Sequence, residues 1–154
     1  MIRVVVTEQP IDLAAELARV EVAGAGGVAS FTGLVRADDG VTALELEHYP
    51  GATEAALTAL ATQARDRWDL LAVVIVHRVG RMIPGDRVVF VGAAAAHRAP
   101  ALDGCAFLID RLKTGAPFWK REVLAEGARW VEARAGDDAA AARWSGPSAD
   151  RPAD

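Results

Sequence analysis

The sequence predicts an α+β sandwich with a largely antiparallel sheet and three main helices. Short β-branched runs alternate with stretches that have the apolar period of an amphipathic helix. Predicted hairpins and helices are interleaved along the chain, which favours an α+β arrangement over a parallel α/β one. The 154 residues, 52% of them hydrophobic, suffice for one domain with a real core.

The N-terminal third begins with the β-branched run Ile2–Thr7, which predicts a strand. A short helix is predicted over Ile11–Val20, where apolar residues recur at helical spacing after a proline. Strands are predicted for Val28–Val35 and Val41–Tyr49. The residues 37–40 between them have turn chemistry, so we expect these two strands to form a β-hairpin.

The middle of the chain predicts an amphipathic helix over Leu57–Trp68, with charged residues outside its apolar stripe. Leu71–Val76 and Arg87–Ala94 are dense β-branched runs joined by a turn, and they predict two buried strands. A third helix is predicted over Ala101–Leu112, because Thr114 and Gly115 can cap it and the following proline prevents its continuation.

The last predicted strands are Phe118–Leu124 and Ala128–Ala133, and the chain beyond them is rich in alanine, aspartate and proline. No internal repeat is evident in the sequence. We expect a single domain over residues 1–144 and a flexible, partly helical tail over 145–154.

The charge distribution excludes a general nucleic-acid binder. Net charge is −4, whereas a surface that follows phosphates needs a basic excess. The window from His97 to Arg121 nevertheless carries a charge of +3 against −7 for the remainder. A local cationic patch on an acidic protein suits a small anionic substrate.

Other classes are disfavoured by composition. The single cysteine, Cys105, excludes an internal disulfide framework and is predicted to be a core residue of the third helix. No apolar run is long enough for a membrane span or a signal peptide, so we expect a cytoplasmic protein. The spacing of the three histidines fits no metal site, no nucleotide-binding glycine loop is present, and no cofactor is predicted.

The lysines are the most informative residues. The chain has fifteen arginines but only two lysines, Lys113 and Lys120, and both lie within one short stretch. An ammonium can lose its proton and become a nucleophile or base, whereas a guanidinium remains protonated. The two amines are therefore candidates for catalysis, with Lys113 at a helix end and Lys120 on the side of its strand that carries Phe118 and Glu122. The alternative is a helix-capping charge and an exposed strand residue.

Arginine and histidine residues at strand ends are candidate anion ligands. His97 and Arg98 follow a strand and precede a helix, where they form either a phosphate clamp or a helix-start pair bonded to local carbonyls. Arg36 ends another strand and is a second candidate ligand or a surface charge. His77 also ends a strand and is interpreted as structural. The alternative is that it supports the residues of the site without contacting the ligand itself.

Several segments together resemble the large, catalytic subunit of molybdopterin synthase, the MoaE family. The resemblance spans roughly residues 1–144, in the order of the family. The segments that carry it are Phe31–Arg36, Leu46–Gly51, His77–Gly80 with Pro84–Asp86, Ala96–Arg98, Leu112–Glu122 and Arg129–Glu132.

The resemblance implies an α/β-hammerhead-type fold and a homodimer that binds a small ubiquitin-like sulfur-carrier subunit at each end. The C-terminal Gly-Gly thiocarboxylate of that partner would donate sulfur to cyclic pyranopterin monophosphate and form the dithiolene of molybdopterin. It implies Lys113 and Lys120 as catalytic amines. The implied substrate-binding residues are Leu34, Val35, Arg36, His97, Arg98, Lys113, Lys120, Arg121 and Glu122.

Two other functions remain open from the residues alone. A Schiff-base lyase would also use lone lysines, and a non-catalytic module would use the cationic patch only to receive an acidic tail. In the second case arginine would serve as well as lysine at position 120.

Overall fold

The computed structural model describes residues 1–131 and 135–145. Within these residues the strands are β1 (Ile2–Thr7), β2 (Gly27–Leu34), β3 (Val41–His48), β4 (Ala72–Arg78), β5 (Gly80–Met82), β6 (Arg87–Ala95), β7 (Phe118–Leu124) and β8 (Gly127–Val131). The helices are α1 (Leu13–Val20), α2 (Ala52–Trp68), α3 (Arg98–Gly115) and α4 (Ala135–Ala142).

The strands form two four-stranded sheets. Sheet 1 has the order β1-β4-β6-β2, and sheet 2 has the order β5-β3-β7-β8. The pairing of β1 with β4 is parallel, and the other pairings are antiparallel. The predicted α+β class with a mostly antiparallel sheet is confirmed, and α4 adds a fourth helix within the described residues.

Sheet 1 is covered by helices on both faces, as the apolar run 72–76 of β4 requires. Val73 and Ile75 face the larger core, which α2 and α3 close. Val74 and Val76 face the opposite side, which α1 closes. Successive residues of β4 therefore serve two cores, because side chains alternate across a strand.

The connection from α3 to β7 is anchored by a buried threonine at the start of α2. Thr53 is fully buried, and its hydroxyl donates to the Pro117 carbonyl oxygen at 3.0 Å. The same hydroxyl accepts a bond from the backbone N–H of Tyr49 at 2.9 Å. These two bonds fix where β7 begins relative to the end of α3, and so fix the spacing of the two lysine-bearing elements.

The predicted hairpin between the second and third strands is wrong. β2 pairs along its whole length with β6 in sheet 1, whereas β3 pairs with β5 and β7 in sheet 2. The turn-forming residues are real, since Asp39 and Gly40 both have positive φ. However, Val35 is held by backbone bonds to the turn before β6, so the chain leaves sheet 1 before it turns.

Other predicted elements are confirmed within a few residues, but residues 132–133 of the last predicted strand lie outside the described residues. The two buried middle strands pair as β4 and β6, and β7 pairs with β8 as a hairpin. The short strand β5 has no counterpart among the predicted elements. The predicted tail over 145–154 lies outside the described residues except for Ser145. Within the described chain, no helix combines the length and apolarity needed to cross a bilayer.

Candidate functional site

A cavity of about 700 Å³ lies where the end of β2, the C-terminal end of α3 and the inner faces of β3 and β7 meet. The α3 wall is formed by Ile109, Leu112 and Lys113, which recur at the three- and four-residue spacing of one helix face. The β3 wall is formed by Leu44 and Leu46. The cavity therefore has apolar side chains on its α3 and β3 walls and a charged one where Lys113 lines it.

Both lysines line this cavity. Lys113 lies in the last turn of α3, and Lys120 is the third residue of β7. Both side chains are exposed, so a ligand that enters the cavity can reach them. The two lysines are seven positions apart in the sequence and lie on two walls of the same cavity.

Strand alternation explains why Lys120 faces the cavity. Phe118, Lys120 and Glu122 all line it, whereas Trp119 and Arg121 do not. Lys120 lies opposite Leu46 in the register with β3, and Glu122 lies opposite Leu44. The cavity face of β7 therefore carries an aromatic ring, an amine and a carboxylate in succession.

The carboxylate of Glu122 is held by Arg129 on β8. Arg129 donates from Nη2 and Nε to the same Glu122 oxygen at 2.8 and 2.9 Å. The Glu122 side chain is 14% exposed, so this pair is largely shielded on the carboxylate side. The guanidinium of Arg129 thus offsets the negative charge of Glu122.

The end of β2 supplies the remaining predicted residues of the cavity. Leu34, Val35 and Arg36 all line it. Arg36 is exposed, and its Nε lies 3.2 Å from a carboxylate oxygen of Asp38, which is also exposed. A surface ion pair of this kind contributes about 0 to 1 kcal/mol, so an anionic ligand can replace Asp38 at low cost.

Three predicted residues lie elsewhere. Arg121 points to the outer face of sheet 2, where its Nε lies 3.2 Å from a carboxylate oxygen of Glu45 without hydrogen-bond alignment. His97 and Arg98 are exposed at the start of α3, outside the cavity. Lys113 lies fifteen positions after Arg98 in α3, which corresponds to about 22 Å along the axis. A single chain does not bring the two ends of α3 together.

His77 is a cavity residue that sequence reasoning left as structural. It is 6% exposed, and its ring stacks on Phe118 at a centroid distance of 4.0 Å and an interplanar angle of 25°. Burial lowers the pKa of His77 to about 4; a bond to the Arg78 carbonyl opposes this shift, and the nearby Lys113 ammonium adds to it. The signal in the sequence was a histidine that interrupts the apolar row formed by Val73 and Ile75.

Cys105 is buried in the large core, as predicted, and is 6% exposed. Burial raises the pKa of its thiol to about 11, so the thiolate form is disfavoured. This residue does not line the cavity described above. The candidate nucleophiles of the cavity are therefore the two amines.

Fold and site together define an α+β domain that presents two amines and an arginine around one pocket. The family model of the MoaE protein matches residues 6–115. The chain belongs to the MoaE family. The molybdopterin synthase catalytic subunit of Escherichia coli is 54% identical over 122 residues, which cover 77% of this chain and 81% of that protein.

Two further relatives cover almost the whole chain. The molybdopterin synthase catalytic subunit of Cereibacter sphaeroides is 48% identical over 145 residues, which cover 92% of this chain and 99% of that protein. The solved structure of the molybdopterin biosynthesis MoaE protein from Burkholderia ambifaria is 48% identical and has a TM-score of 0.82. That match covers 96% of this chain and 100% of the solved one. Likeness to these proteins therefore extends beyond position 115 to the β7 segment that contains Lys120.

Proposed function

We propose that this chain is the catalytic subunit of a molybdopterin synthase. It transfers sulfur from the thiocarboxylated C-terminus of a small ubiquitin-like subunit to cyclic pyranopterin monophosphate, also called precursor Z, and so forms the dithiolene of molybdopterin. The observation that carries this proposal is that the two lysines of the chain line one cavity. The names of its close relatives support the same reaction.

The charge of the cavity supports anionic reactants. A cyclic phosphate and a thiocarboxylate are both anions, and Lys113, Lys120 and Arg36 border the same space. Three carboxylates line it too, of which Glu122 is paired with Arg129 and Asp38 with Arg36, while the third is Asp39. A volume of about 700 Å³ also falls in the range of pockets that enclose small organic ligands. The cavity thus has room and charge for a pterin phosphate and the end of a peptide tail.

An amine next to a thiocarboxylate carbonyl carbon has three possible roles. It stabilises developing negative charge, exchanges a proton, or is itself acylated. In each case a carbon–sulfur bond forms on the pterin precursor as a carbon–oxygen bond at the same carbon breaks and its oxygen leaves. The acyl–sulfur bond is cleaved, and water returns the C-terminus of the small subunit to a carboxylate. Two such transfers complete the dithiolene.

The predicted roles of His97 and Arg98 require a second copy of the chain. Strand β2 is an edge of sheet 1 within the described residues, and its Val28, Phe31 and Leu34 are 41%, 38% and 56% exposed. Its first residue, Gly27, packs against Arg98 so closely that an added Cβ would lie 3.0 Å from the Arg98 Cα. Its last residue, Leu34, lines the cavity.

Antiparallel pairing of two β2 strands about a two-fold axis would therefore exchange their ends. An eight-residue strand spans about 24 to 27 Å, which is close to the length of α3 between Arg98 and Lys113. We propose that the homodimer uses this edge and that the partner's His97 and the partner's Arg98 complete the cavity. Arg121 contributes by anchoring β7 to Glu45 rather than by contact with the reactant.

A cytoplasmic location is part of the proposal. Cys105 is a buried free thiol, so the described fold makes no use of an oxidising compartment. The reaction also consumes a thiocarboxylate, which has to be supplied by an activating enzyme of the same compartment.

Reconstitution tests the function directly. The chain is mixed with a thiocarboxylated small subunit and cyclic pyranopterin monophosphate, and we expect a dithiolene product. Product must be absent when the small subunit ends in an ordinary carboxylate. Borohydride trapping of a carbonyl substrate on either lysine, without any partner protein, would instead favour a Schiff-base lyase.

A mixed dimer tests the shared site. We expect Lys120→Arg and Arg98→Ala homodimers each to be inactive, whereas co-refolding them in equal amounts restores about a quarter of wild-type turnover by random pairing. Restoration arises because one site of each mixed dimer contains an intact Lys120 and an intact Arg98. If each site belonged to a single chain, the mixture would remain inactive.

A further inference from the structure

His77 occupies a place where the pattern of β4 calls for an apolar residue. Val73 and Ile75 precede it on the same face and are fully buried under α2 and α3. His77 continues this row but lies at the end of the strand, where the core gives way to the cavity. A polar ring is thus buried beside the reactant space and next to Lys113.

The tautomer of His77 follows from its backbone contact. Its Nδ1 lies 2.9 Å from the carbonyl oxygen of Arg78. A carbonyl oxygen only accepts hydrogen bonds, so Nδ1 carries the proton and donates it. In the neutral ring, Nε2 then holds a lone pair and is an acceptor.

The surroundings leave this acceptor to the cavity. Among the described residues, no donor forms a hydrogen bond to Nε2. Nε2 also keeps some accessible surface, because it is not among the side-chain atoms that are both fully buried and without a hydrogen-bond partner. The rest of the residue is enclosed, and the stack on Phe118 fixes the plane of the ring. The accessible edge of the imidazole therefore opens into the space that it lines.

Burial and a neighbouring positive charge keep the His77 ring uncharged. Burial disfavours the imidazolium, and the Lys113 ammonium disfavours it further, which accounts for a pKa of about 4. The Arg78 carbonyl acts in the other direction but does not offset them. His77 thus presents a neutral acceptor beside two cationic side chains.

We propose that His77 is a specificity-determining residue whose Nε2 accepts a hydrogen bond from a ring N–H of the pterin substrate. This inference rests on the proposed function, because the donor belongs to the pterin ring. A lone pair attracts N–H groups and repels phosphate oxygens, whereas the lysines and Arg36 attract those oxygens. His77 therefore orients the reactant, with its heterocycle against the imidazole and its phosphate toward the cations.

Direct titration calorimetry with cyclic pyranopterin monophosphate tests this role in the absence of the small subunit. His77→Phe keeps a ring that can stack on Phe118 but removes the acceptor, and we expect affinity to fall about tenfold. His77→Gln retains an acceptor oxygen and is expected to bind within about threefold of wild type. Thermal unfolding and binding of the small subunit are measured for both variants as controls for folding.

The outcomes separate this inference from the proposed function. Equal affinity of wild type and His77→Phe, or equal losses in the glutamine and phenylalanine variants, would overturn the acceptor role. If the phenylalanine variant does not fold, wild type is titrated with analogues methylated at each ring N–H in turn. A loss of about tenfold for one analogue supports the role, and unchanged affinity for all of them overturns it. Tight pterin binding without turnover would reject the sulfur transfer while leaving the His77 contact in place.

Discussion

The two faces of β7 show how one strand serves two environments. The inner face presents Phe118, Lys120 and Glu122 to the cavity. The outer face presents Trp119, which is 52% exposed and donates from its indole to the Tyr49 hydroxyl, and Arg121, which pairs with Glu45. Adjacent residues therefore differ in whether a reactant can touch them.

The difference in residue type between the faces has a physical reason. On the outer face a positive charge needs only to meet a carboxylate, and arginine does this at any pH. On the inner face the chain keeps a lysine, whose amine can lose a proton or attack a carbonyl carbon. The comparison predicts that substitutions on the inner face alter catalysis and that those on the outer face do not.

The largest effect is expected for Lys120→Arg. This change keeps the positive charge but removes the titratable amine, so we expect turnover to fall by about a thousandfold or more while the small subunit still binds. Product formation and partner binding are measured on the same preparation. Trp119→Phe, one residue away on the outer face, is the matched control and is expected to keep wild-type turnover. Normal turnover of Lys120→Arg would show that charge alone suffices and that the catalytic assignment is wrong.

The next largest effect is a loss of stability in acid that depends on His77, which stacks on the inner face. The unfolded histidine binds a proton below a pKa of about 6.5, but the folded residue does so only below about 4. The unfolded state therefore binds more protons in this window, and lowering the pH from 6.5 to 4 reduces the free energy of unfolding by roughly 3 kcal/mol through this residue.

Urea denaturation at a series of pH values measures this loss. His77→Gln has no titrating group at this position, so its stability is expected to depend less on pH between 4 and 6.5. If the free energy of unfolding falls equally with pH in wild type and in His77→Gln, the buried imidazole does not contribute to the loss of stability in acid.

A smaller effect is expected for Glu122→Gln. The change leaves Arg129 with a neutral partner, and because Arg129 is almost half exposed we expect a loss of only about 1 kcal/mol in the free energy of unfolding. Glu47→Gln, an exposed carboxylate of β3 opposite Trp119, is the control and should cost less than about 0.5 kcal/mol. Equal costs for the two variants would mean that the Glu122 pair gives no particular support to the inner face.

The smallest effect is expected for Arg121→Lys. Its pair with Glu45 joins two partly exposed groups and survives as a charge pair, so stability should change by less than about 0.5 kcal/mol and turnover by less than about twofold. Steady-state kinetics with cyclic pyranopterin monophosphate check this value. A tenfold loss of turnover would mean that the outer face reaches the reactant, and the contrast between the faces would fail.

Much of the local structure could be predicted because it depends on short-range patterns. The C-terminal end of α3 was predictable from Thr114, Gly115 and Pro117, and the inward direction of Lys120 from the two-residue period of β7. The same period also places Arg121 on the opposite face, which the resemblance to the family did not indicate. The burial of His77 against the cavity was not predictable, because its ring packs on Phe118, which is distant in the sequence.

The sequence by itself determined the class of fold, the nature of the helices and strands, and the two residues whose chemistry stands apart, because propensity, periodicity and composition are local properties. Only the tertiary structure decided that β2 and β3 join different sheets, since pairing with β6 and with β5 and β7 depends on segments far along the chain. It also decided that Lys113 and Lys120 share a cavity while His97 and Arg98 lie at the other end of a rigid helix. Distances between elements follow from long-range packing, which no local pattern encodes.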